Sequence, residues 1–218
     1  MSLPQPTRFF LVLLGLLLSR YAQAQKPVPG YVITAGRDSL RGAIQIHEEI
    51  DQQLRVEFIP LYALQPIFLD AHQLAAYGYI HKKDTVRYVA LPISFSKSQP
   101  PFRVFLRQLV AGPVALYDYR YSHVPLRTRP YGSNTLPIFR PLSRQTNLYT
   151  NFTLVVHREG EPNLQDVRGW DFAADGSRYF SDYPELAAEL QAKKYRSDDV
   201  AKVVRRYNGW RRSQPLQP

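Results

Sequence analysis

Apolar and polar residues alternate along the first half of the chain in the pattern of half-buried β-strands. The segments 30–34 and 40–46 are separated by turn residues, and together they predict a β-hairpin. The alternation returns over 54–59, where Leu54 and every second residue after it are expected to face inward. The mostly polar segment 48–53 predicts a loop between the second and third strands.

Two further hairpins are predicted by the same signals. One joins 76–80 to 85–91 through a polar turn, and the other joins 102–110 to 114–121 through a Gly-Pro turn. Strands that recur at short spacing, with turn residues between them, are typical of antiparallel sheets. The segment 25–121 is therefore expected to form an antiparallel β meander or a small open barrel.

A long loop or linker is predicted after these hairpins. Residues 122–146 are rich in Pro, Arg, Ser, Thr and Asn and carry no sustained apolar pattern. One more strand is predicted within 147–158, where the apolar residues cluster around Phe152.

The last fifty residues change from strand to helix periodicity. Asp171 is expected to cap a helix over 172–180, although Asp175-Gly176 also fits a hairpin turn. The helical interpretation is preferred, and the hairpin remains an alternative. Asp182 and the glutamate three residues later have the spacing of a capping box, which predicts a second helix that runs to about residue 194.

The final helix has the clearest amphipathic pattern in the chain. It is expected to begin at Ser197 or Asp198 and to end at Asn208-Gly209. Its apolar positions follow the spacing i, i+3, i+4, i+7 and are Val200, Val203, Val204 and Tyr207. These four side chains are expected to be buried against the β region.

The predicted fold class is therefore α+β, with an antiparallel meander or small open barrel followed by two or three short C-terminal helices. The strand and helices over 147–212 are expected to pack on the β region, and 213–218 to form a disordered tail.

The N-terminus predicts export. Ten apolar residues, 9–18, follow Arg8, and at 1.5 Å per residue they would cover about 15 Å of a bilayer core of about 30 Å. This is too short for a membrane span and fits the apolar region of a signal peptide. A buried N-terminal helix is the alternative, but the run has no polar face. Ala22-Gln23-Ala24 places the expected cleavage after Ala24, so residues 1–24 are a signal peptide and the mature chain starts at Gln25 in the periplasm or outside the cell.

Composition narrows the possible partners. The chain has no Cys, which excludes thiol nucleophiles and Cys-ligated metals, and it carries a formal charge of +10. Arg8 and Arg20 are the only charges in the predicted signal, so the mature chain carries +8. An exported chain meets lipid headgroups, lipopolysaccharide and acidic glycans rather than nucleic acid, so nucleic acid is not expected as a partner. No later apolar run is long enough to predict a transmembrane segment in the mature chain.

A search for catalytic motifs gives no support for an enzyme. No Gly-x-Ser-x-Gly elbow, P-loop or His-Glu-x-x-His pair occurs, and no cofactor is expected. Asp70 could cap a single helical turn, and with His72 it could join a metal site, but a surface pair beside a turn is the better interpretation. The acids Glu48, Glu49 and Asp51 could act as paired carboxylates, but a solvated loop is again preferred.

The strongest candidate for a binding surface is the basic C-terminal end. The segment 193–212 carries a net charge of +6, with an aromatic residue among the arginines. A basic helix end of this kind can lie on anionic lipid or lipopolysaccharide, and a basic last turn that complements the helix dipole is the alternative. The candidate contact residues are Arg205, Arg206, Trp210, Arg211 and Arg212.

Two stretches carry a family resemblance. The residues from Gly30 to Gly42 resemble the opening hairpin of a group of small uncharacterised exported proteins of Gram-negative bacteria, and 179–186 with 203–208 are similar to their closing helices. The resemblance covers about a third of the chain and implies a helix over 172–180. No activity is established for that family, so the resemblance implies no catalytic residue here.

These observations favour an exported envelope protein with a non-catalytic binding or scaffolding role. Two alternatives remain open: a hydrolase that acts on glycans or peptides without a recognisable motif, and a peripheral binder of anionic lipid or lipopolysaccharide.

Overall fold

A computed structural model describes residues 26–63, 65–94, 100–122 and 150–214. The predicted signal peptide, residues 1–24, lies outside the described residues, and so does all of the predicted linker 122–146 except Ser122.

One open sheet of ten antiparallel strands dominates the structure, in the order β10-β9-β8-β7-β6-β5-β1-β2-β3-β4. The strands are β1 Val28–Thr34, β2 Ser39–Gln45, β3 Arg55–Pro60, β4 Ile67–Asp70, β5 Leu74–His81, β6 Asp84–Ile93, β7 Phe102–Val110, β8 Val114–Ser122, β9 Thr150–Arg158 and β10 Gln165–Asp166. The three predicted hairpins are confirmed as β1–β2, β5–β6 and β7–β8. The α+β class is also confirmed, but the sheet is larger than the predicted small barrel.

The first half of the sheet is rolled. β1 pairs with β2 on one side and with β5 on the other, while a turn of only three residues joins edge strand β4 to β5. Four Cα steps from Asp70 to Leu74 reach at most about 15 Å, whereas the four strand spacings between β4 and β5 in a flat sheet cover about 19 Å. The paired strands β2 and β3 also approach closely at Gly42, where a Cβ atom would lie 2.2 Å from the Ile59 carbonyl oxygen.

The roll encloses an aromatic core. Tyr77 stacks on Tyr88 with ring centroids 4.7 Å apart and meets Phe105 edge-on at 4.9 Å. Val32 from β1 and Phe58 from β3 are fully buried in the same cluster. The core therefore contains side chains from β1 and β3 as well as from β5, β6 and β7. Their packing fixes the pairing of β1 with β5, which joins these two groups of strands.

Within the part of the chain that the structure describes, four α-helices accompany the sheet, and three of them follow β10. They are α1 Glu49–Leu54, α2 Ala174–Tyr179, α3 Pro184–Gln191 and α4 Val200–Ser213. The predicted stripe Val200, Val203, Val204 and Tyr207 is confirmed as buried, with at most 1% of each residue exposed. It packs with Leu186 and Phe180 against Val114, Leu116 and Val156 of the sheet. The preferred helical interpretation of 172–180 is confirmed by α2, although α2 covers only Ala174–Tyr179 and its N-cap residue is Ala173 rather than Asp171.

Helix α1 corrects the predicted loop at 48–53. Gln52 and Gln53 are buried on its inner face, whereas Leu54 is 57% exposed and does not face inward as predicted. The Gln53 amide donates to the Arg120 carbonyl at 2.6 Å and accepts from the Arg120 N–H at 2.7 Å. Arg120 lies just beyond Asp118, the last β8 residue that is paired with β7. The Gln53 side chain therefore binds the backbone groups of Arg120 in place of a strand partner.

Asn208 does the same at the other end of β8. Its Oδ1 accepts from the Val114 N–H at 2.9 Å, and its Nδ2 donates to the Val114 carbonyl at 2.7 Å. Gly112 permits this approach, because a Cβ atom there would lie 2.5 Å from Nδ2. The prediction that Asn208-Gly209 ends the last helix is wrong, since α4 continues to Ser213, a residue assigned to the tail.

Two other local predictions are corrected. The predicted capping box of α3 is wrong: Tyr183 is the N-cap residue without a side-chain cap bond, and Asp182 instead binds Arg158. Asp70 does accept the N–H groups of His72 at 2.8 Å and of Gln73 at 3.1 Å, as a capping residue would, but the turn that it closes connects β4 to β5 and is not helical.

Among the described helices, none combines the length and the apolar character that crossing a bilayer demands.

Candidate functional site: a charged cleft between the sheet and the C-terminal helices

Arg158, the last residue of β9, joins the sheet to the C-terminal helices. Its guanidinium donates to the Asp182 carboxylate at 3.0 Å, to the Tyr207 hydroxyl and to the Tyr179 carbonyl. Its Nε is ion-paired with Glu161 at 3.2 Å. The guanidinium also lies over the Tyr179 ring, 4.9 Å from the centroid. One side chain thus ties β9 to the β9–β10 turn, the end of α2 and α4.

The protonation states of this network follow from burial and charge. Burial by itself lowers the pKa of Arg158, but Tyr207 and Asp182 outweigh it, and the pKa is raised overall. Burial, together with the hydrogen bond to Asp182, raises the pKa of Tyr207 to about 12. At neutral pH the network therefore contains a charged arginine and a neutral tyrosine.

A cleft of about 590 Å³ opens beside this network. This volume lies within the range of about 300–1,000 Å³ that small-ligand sites occupy. Its walls come from the end of β9, the β9–β10 turn, β10, the segment before α2, α2 itself and the α2–α3 turn. Four of the charged residues that line it come from separate elements and are Arg158, Glu161, Asp175 and Asp182.

Each carboxylate in the cleft has an arginine partner. Glu161 and Asp182 both pair with Arg158, and Asp175 pairs with Arg178 at 3.3 Å. Three carboxylates and two guanidiniums give the cleft a formal net charge of −1. Arg178 is 79% exposed, so its remaining donors are accessible to solvent or to a ligand.

Aromatic side chains form part of the wall. Trp170 and Tyr179 pack with ring centroids 5.3 Å apart at an angle of 48°. The Tyr179 hydroxyl is buried without a hydrogen-bond partner among the described residues, and burial raises its pKa. Gln165 and Ser181 contribute exposed neutral polar groups to the same cleft. The site combines an apolar surface with fixed donors and acceptors.

The predicted basic surface is divided by the fold. Arg206 is hydrogen-bonded to Glu189 and, at 2.7 Å, to the Tyr195 hydroxyl, and its bond lowers the pKa of Glu189. Trp210 stacks on Tyr183 with ring centroids 4.5 Å apart and nearly parallel planes. These two candidate contact residues are therefore engaged within the protein.

The other three candidates are exposed but do not share one face. Arg205 and Arg212 lie opposite the buried stripe of α4, on the same side as Lys202, while the 100° helical increment places Arg211 on the side of the stripe. Arg211 is exposed all the same. The structure therefore leaves Lys202, Arg205 and Arg212 as the cationic face.

A second charged cluster lies beneath α1. Glu49 pairs with Arg107 at 3.3 Å and with Arg120 at 2.7 Å, and Arg120 also pairs with Asp118. The Asp118 Oδ1 atom is buried without a partner among the described residues. Because the cluster encloses no free volume for a ligand, its role is to hold α1 on the sheet.

Glu49 and Asp51 thus lie in a helix, with Glu48 as its N-cap residue, rather than in a loop. Within the described ranges, no group of three or more His, Asp or Glu side chains is arranged to hold a metal ion. Asp70 and His72 therefore do not belong to such a group.

The cleft was not predicted from the sequence. Arg158 appeared only as the end of a strand, and its partners Asp182 and Tyr207 lie 24 and 49 residues further along the chain. Trp170 lies in a segment without periodicity. The one available signal in the sequence was Asp182. Its spacing to the following glutamate matched a capping box, so its ion pair with Arg158 was not predicted.

No family model, curated protein or solved structure matches the chain.

Proposed function

We propose that this protein is an exported, non-catalytic envelope protein that binds a ligand in the cleft beside Arg158. The observation that carries the proposal is the cleft itself, which combines ligand-sized volume, an aromatic wall and charged groups fixed by ion pairs. Polar groups that are already held in place lose little freedom when a ligand binds, which favours recognition.

The pairing of the carboxylates supports binding over catalysis. Hydrolysis by a carboxylate pair requires two carboxyl groups that face the reacting bond. Glu161, Asp175 and Asp182 are instead each ion-paired with an arginine. Held in this way, they are suited to accept hydrogen bonds from a ligand through their remaining lone pairs.

Export is the second part of the proposal. It rests on the apolar run 9–18, the Ala22-Gln23-Ala24 motif and the resemblance to exported proteins. Intact mass of the protein made in a Gram-negative host tests it: cleavage gives a chain that starts at Gln25. A product recovered from the periplasm or medium with Met1 still present would contradict the proposal.

Calorimetric titration with a panel of oligosaccharides, amino acids and short peptides tests the binding role. We expect at least one ligand class to bind the parent protein and to be recovered chemically unchanged. Arg178→Glu should abolish that binding without unfolding the protein, because this side chain is exposed. Arg205→Ala, an exposed arginine outside the cleft, is the matched control.

Two outcomes would overturn this role. If no member of the panel binds, the cleft is not a ligand site. If a ligand is cleaved and Arg178→Glu stops the cleavage, the protein is a hydrolase acting on glycans or peptides, an activity that three carboxylates from separate elements could support.

A second candidate function is weak attachment to an anionic surface. The observation that favours it is the face formed by Lys202, Arg205 and Arg212. At about 1 kcal/mol for each cation close to an anionic membrane, the attraction is about 3 kcal/mol, enough for reversible contact only. Binding to anionic but not neutral vesicles, lost at high salt and in Arg205→Ser/Arg212→Ser, would support it; equal binding by the double variant would exclude it.

A further inference from the structure

We infer that the ligand of the cleft is a neutral saccharide. This inference rests on the proposed binding function and specifies its substrate class. It follows from the charge balance of the cleft, from its mixture of donors and acceptors, and from the position of Trp170.

The charge balance disfavours strongly charged ligands. Three carboxylates repel an anionic ligand, and the two arginines that neutralise them leave a net charge of only −1 to attract a cation. An ionic ligand would also meet charged groups that already have an oppositely charged partner. A neutral ligand can bind beside the ion pairs and leave them intact.

The polar groups of the cleft match hydroxyl groups. Carboxylate oxygens of Glu161 and Asp182 accept hydrogen bonds, while Arg178 donates and Gln165 and Ser181 can do both. A sugar hydroxyl donates one hydrogen bond and accepts others, so neighbouring hydroxyls can bind to a carboxylate and a guanidinium at once. Such bonds to charged groups are about twice as strong as bonds between neutral groups.

Trp170 supplies the apolar surface that a sugar ring requires. It is partly buried, lines the cleft and packs on Tyr179, which limits its movement. The C–H face of a pyranose ring is apolar and flat, and an indole held in one orientation can cover it. The Tyr179 ring is less available, because Arg158 lies over it.

The composition of the chain allows a direct test. Trp170 and Trp210 are its only tryptophans, so Trp210→Phe leaves Trp170 as a single fluorescent reporter in the cleft. The probes are tetrasaccharides of glucose, galactose and N-acetylglucosamine, with tetragalacturonate and tetralysine as charged comparisons. We expect at least one neutral tetrasaccharide to change the Trp170 emission saturably, and neither charged probe to do so.

Variants link the signal to the cleft. Arg178→Ala in the Trp210→Phe background should weaken saccharide binding about tenfold, the effect of losing one hydrogen bond to a charged group. Arg205→Ala in the same background should leave the affinity unchanged. Trp170→Phe, which retains only Trp210, should lose the fluorescence response, and circular dichroism checks that each variant remains folded.

The outcomes separate this inference from the proposed function. Binding of tetralysine or tetragalacturonate without any neutral saccharide would overturn the saccharide assignment and leave the cleft as a binding site. A saccharide response that Arg178→Ala does not weaken would also overturn it. If no saccharide binds up to 10 mM, the inference is wrong, whereas the proposed function fails only if the wider panel of amino acids and peptides also gives no binding.

Discussion

Two side-chain amides determine how the sheet of this protein meets its helices. Gln53 and Asn208 each bind both the N–H and the carbonyl of one β8 residue, Arg120 and Val114 respectively. They are among the few buried polar side chains of the described residues, and they lie at opposite ends of the β7–β8 ladder. Backbone groups left without partners there would be costly, so these amides are structural requirements.

Replacing Asn208 should therefore be strongly destabilising. Asn208→Ala leaves the Val114 N–H and carbonyl without partners in a buried position, which should lower the free energy of unfolding by about 2–4 kcal/mol. Urea denaturation measures the difference, and Arg205→Ala on the exposed side of the same helix should change stability by less than about 0.5 kcal/mol. Similar effects of the two substitutions would show that Asn208 is not a strand partner.

At the residue scale, the apolar face of the last helix was predictable, whereas the roles of the buried polar side chains were not, and apolar Leu54 is exposed although it was predicted to face inward. The stripe from Val200 to Tyr207 was recognised because a buried helix face requires that spacing. Asn208 was interpreted as a helix terminator because Asn-Gly commonly ends helices, and nothing local distinguishes an amide that binds a strand 94 residues away. Gln53 was placed in a polar loop for the same reason, because nothing in its local sequence indicates that its amide binds the backbone of Arg120.

At the scale of elements, the β5–β6 hairpin carries a strained turn. Lys82 and Lys83 connect the paired residues His81 and Asp84, and both have positive φ angles, 48° and 77°. Two positive φ angles define a turn in which Asn-Gly is strongly preferred, because an L-residue with a Cβ atom is strained in this region.

Matching the turn residues to this geometry should stabilise the protein. The double variant Lys82→Asn/Lys83→Gly should raise the free energy of unfolding by about 1 kcal/mol, measured by urea denaturation. Lys26→Gly, outside the strands, is the control and should not stabilise. A neutral or destabilising result in the turn would contradict the positive φ angles.

The packing face of α4 gives a second prediction at this scale. Val203→Asp buries an unpaired charge among Val114, Leu116 and Val156 and should destabilise by about 3 kcal/mol or more. Lys202→Asp, one residue earlier and exposed, should have little effect. Thermal unfolding of both variants compares them, and equal shifts of the melting temperature would mean that the stripe is not a core face.

The elements themselves were predicted unevenly. Hairpins were found because alternation and turn residues occur close together in the sequence. Helix α1 was missed because its inner face is polar, and the pairing of β1 with β5 was missed because it depends on the roll of the sheet. Long-range pairing of this kind leaves no periodic signal.

At the scale of the whole molecule, buried tyrosines link stability to pH. Burial raises the pKa of Tyr77, Tyr88 and Tyr179, and burial with the bond to Asp182 raises that of Tyr207 to about 12. The folded state therefore favours the neutral phenols more than the unfolded state does, where the pKa is about 10. This stabilisation is complete well below pH 10. It is lost progressively as the pH rises through 10, up to about pH 12 for Tyr207 and at still higher pH for the other three.

We expect the free energy of unfolding to fall between pH 9 and pH 11.5, as measured by urea denaturation at several pH values. Tyr207→Phe removes the ionisable hydroxyl and should show a smaller decrease over the same range. Tyr62→Phe removes the hydroxyl of a tyrosine that is 96% exposed and should match the parent. Constant stability of the parent up to pH 11.5 would contradict the burial of these phenols.

The cleft illustrates why the site was the least predictable part of the molecule. Its residues are spread from Arg158 to Asp182 over a strand end, two turns and a short helix, and no motif spacing relates them. The basic end of the chain was conspicuous in sequence, but Arg206 and Trp210 are engaged in internal contacts. Clustered charge is visible in a sequence, whereas a concave arrangement of paired charges depends on the fold.

The central claim is that the cleft beside Arg158 binds a ligand without transforming it. The most direct measurement is a titration of isotope-labelled protein with the neutral tetrasaccharides, followed by the indole N–H resonance of Trp170. We expect saturable shifts of this resonance and of the amides of Ser181 and Asp182, a nearly constant Trp210 indole signal, and saccharide recovered intact. Shifts confined to Trp210 and the exposed face of α4, or a cleaved saccharide, would contradict the account.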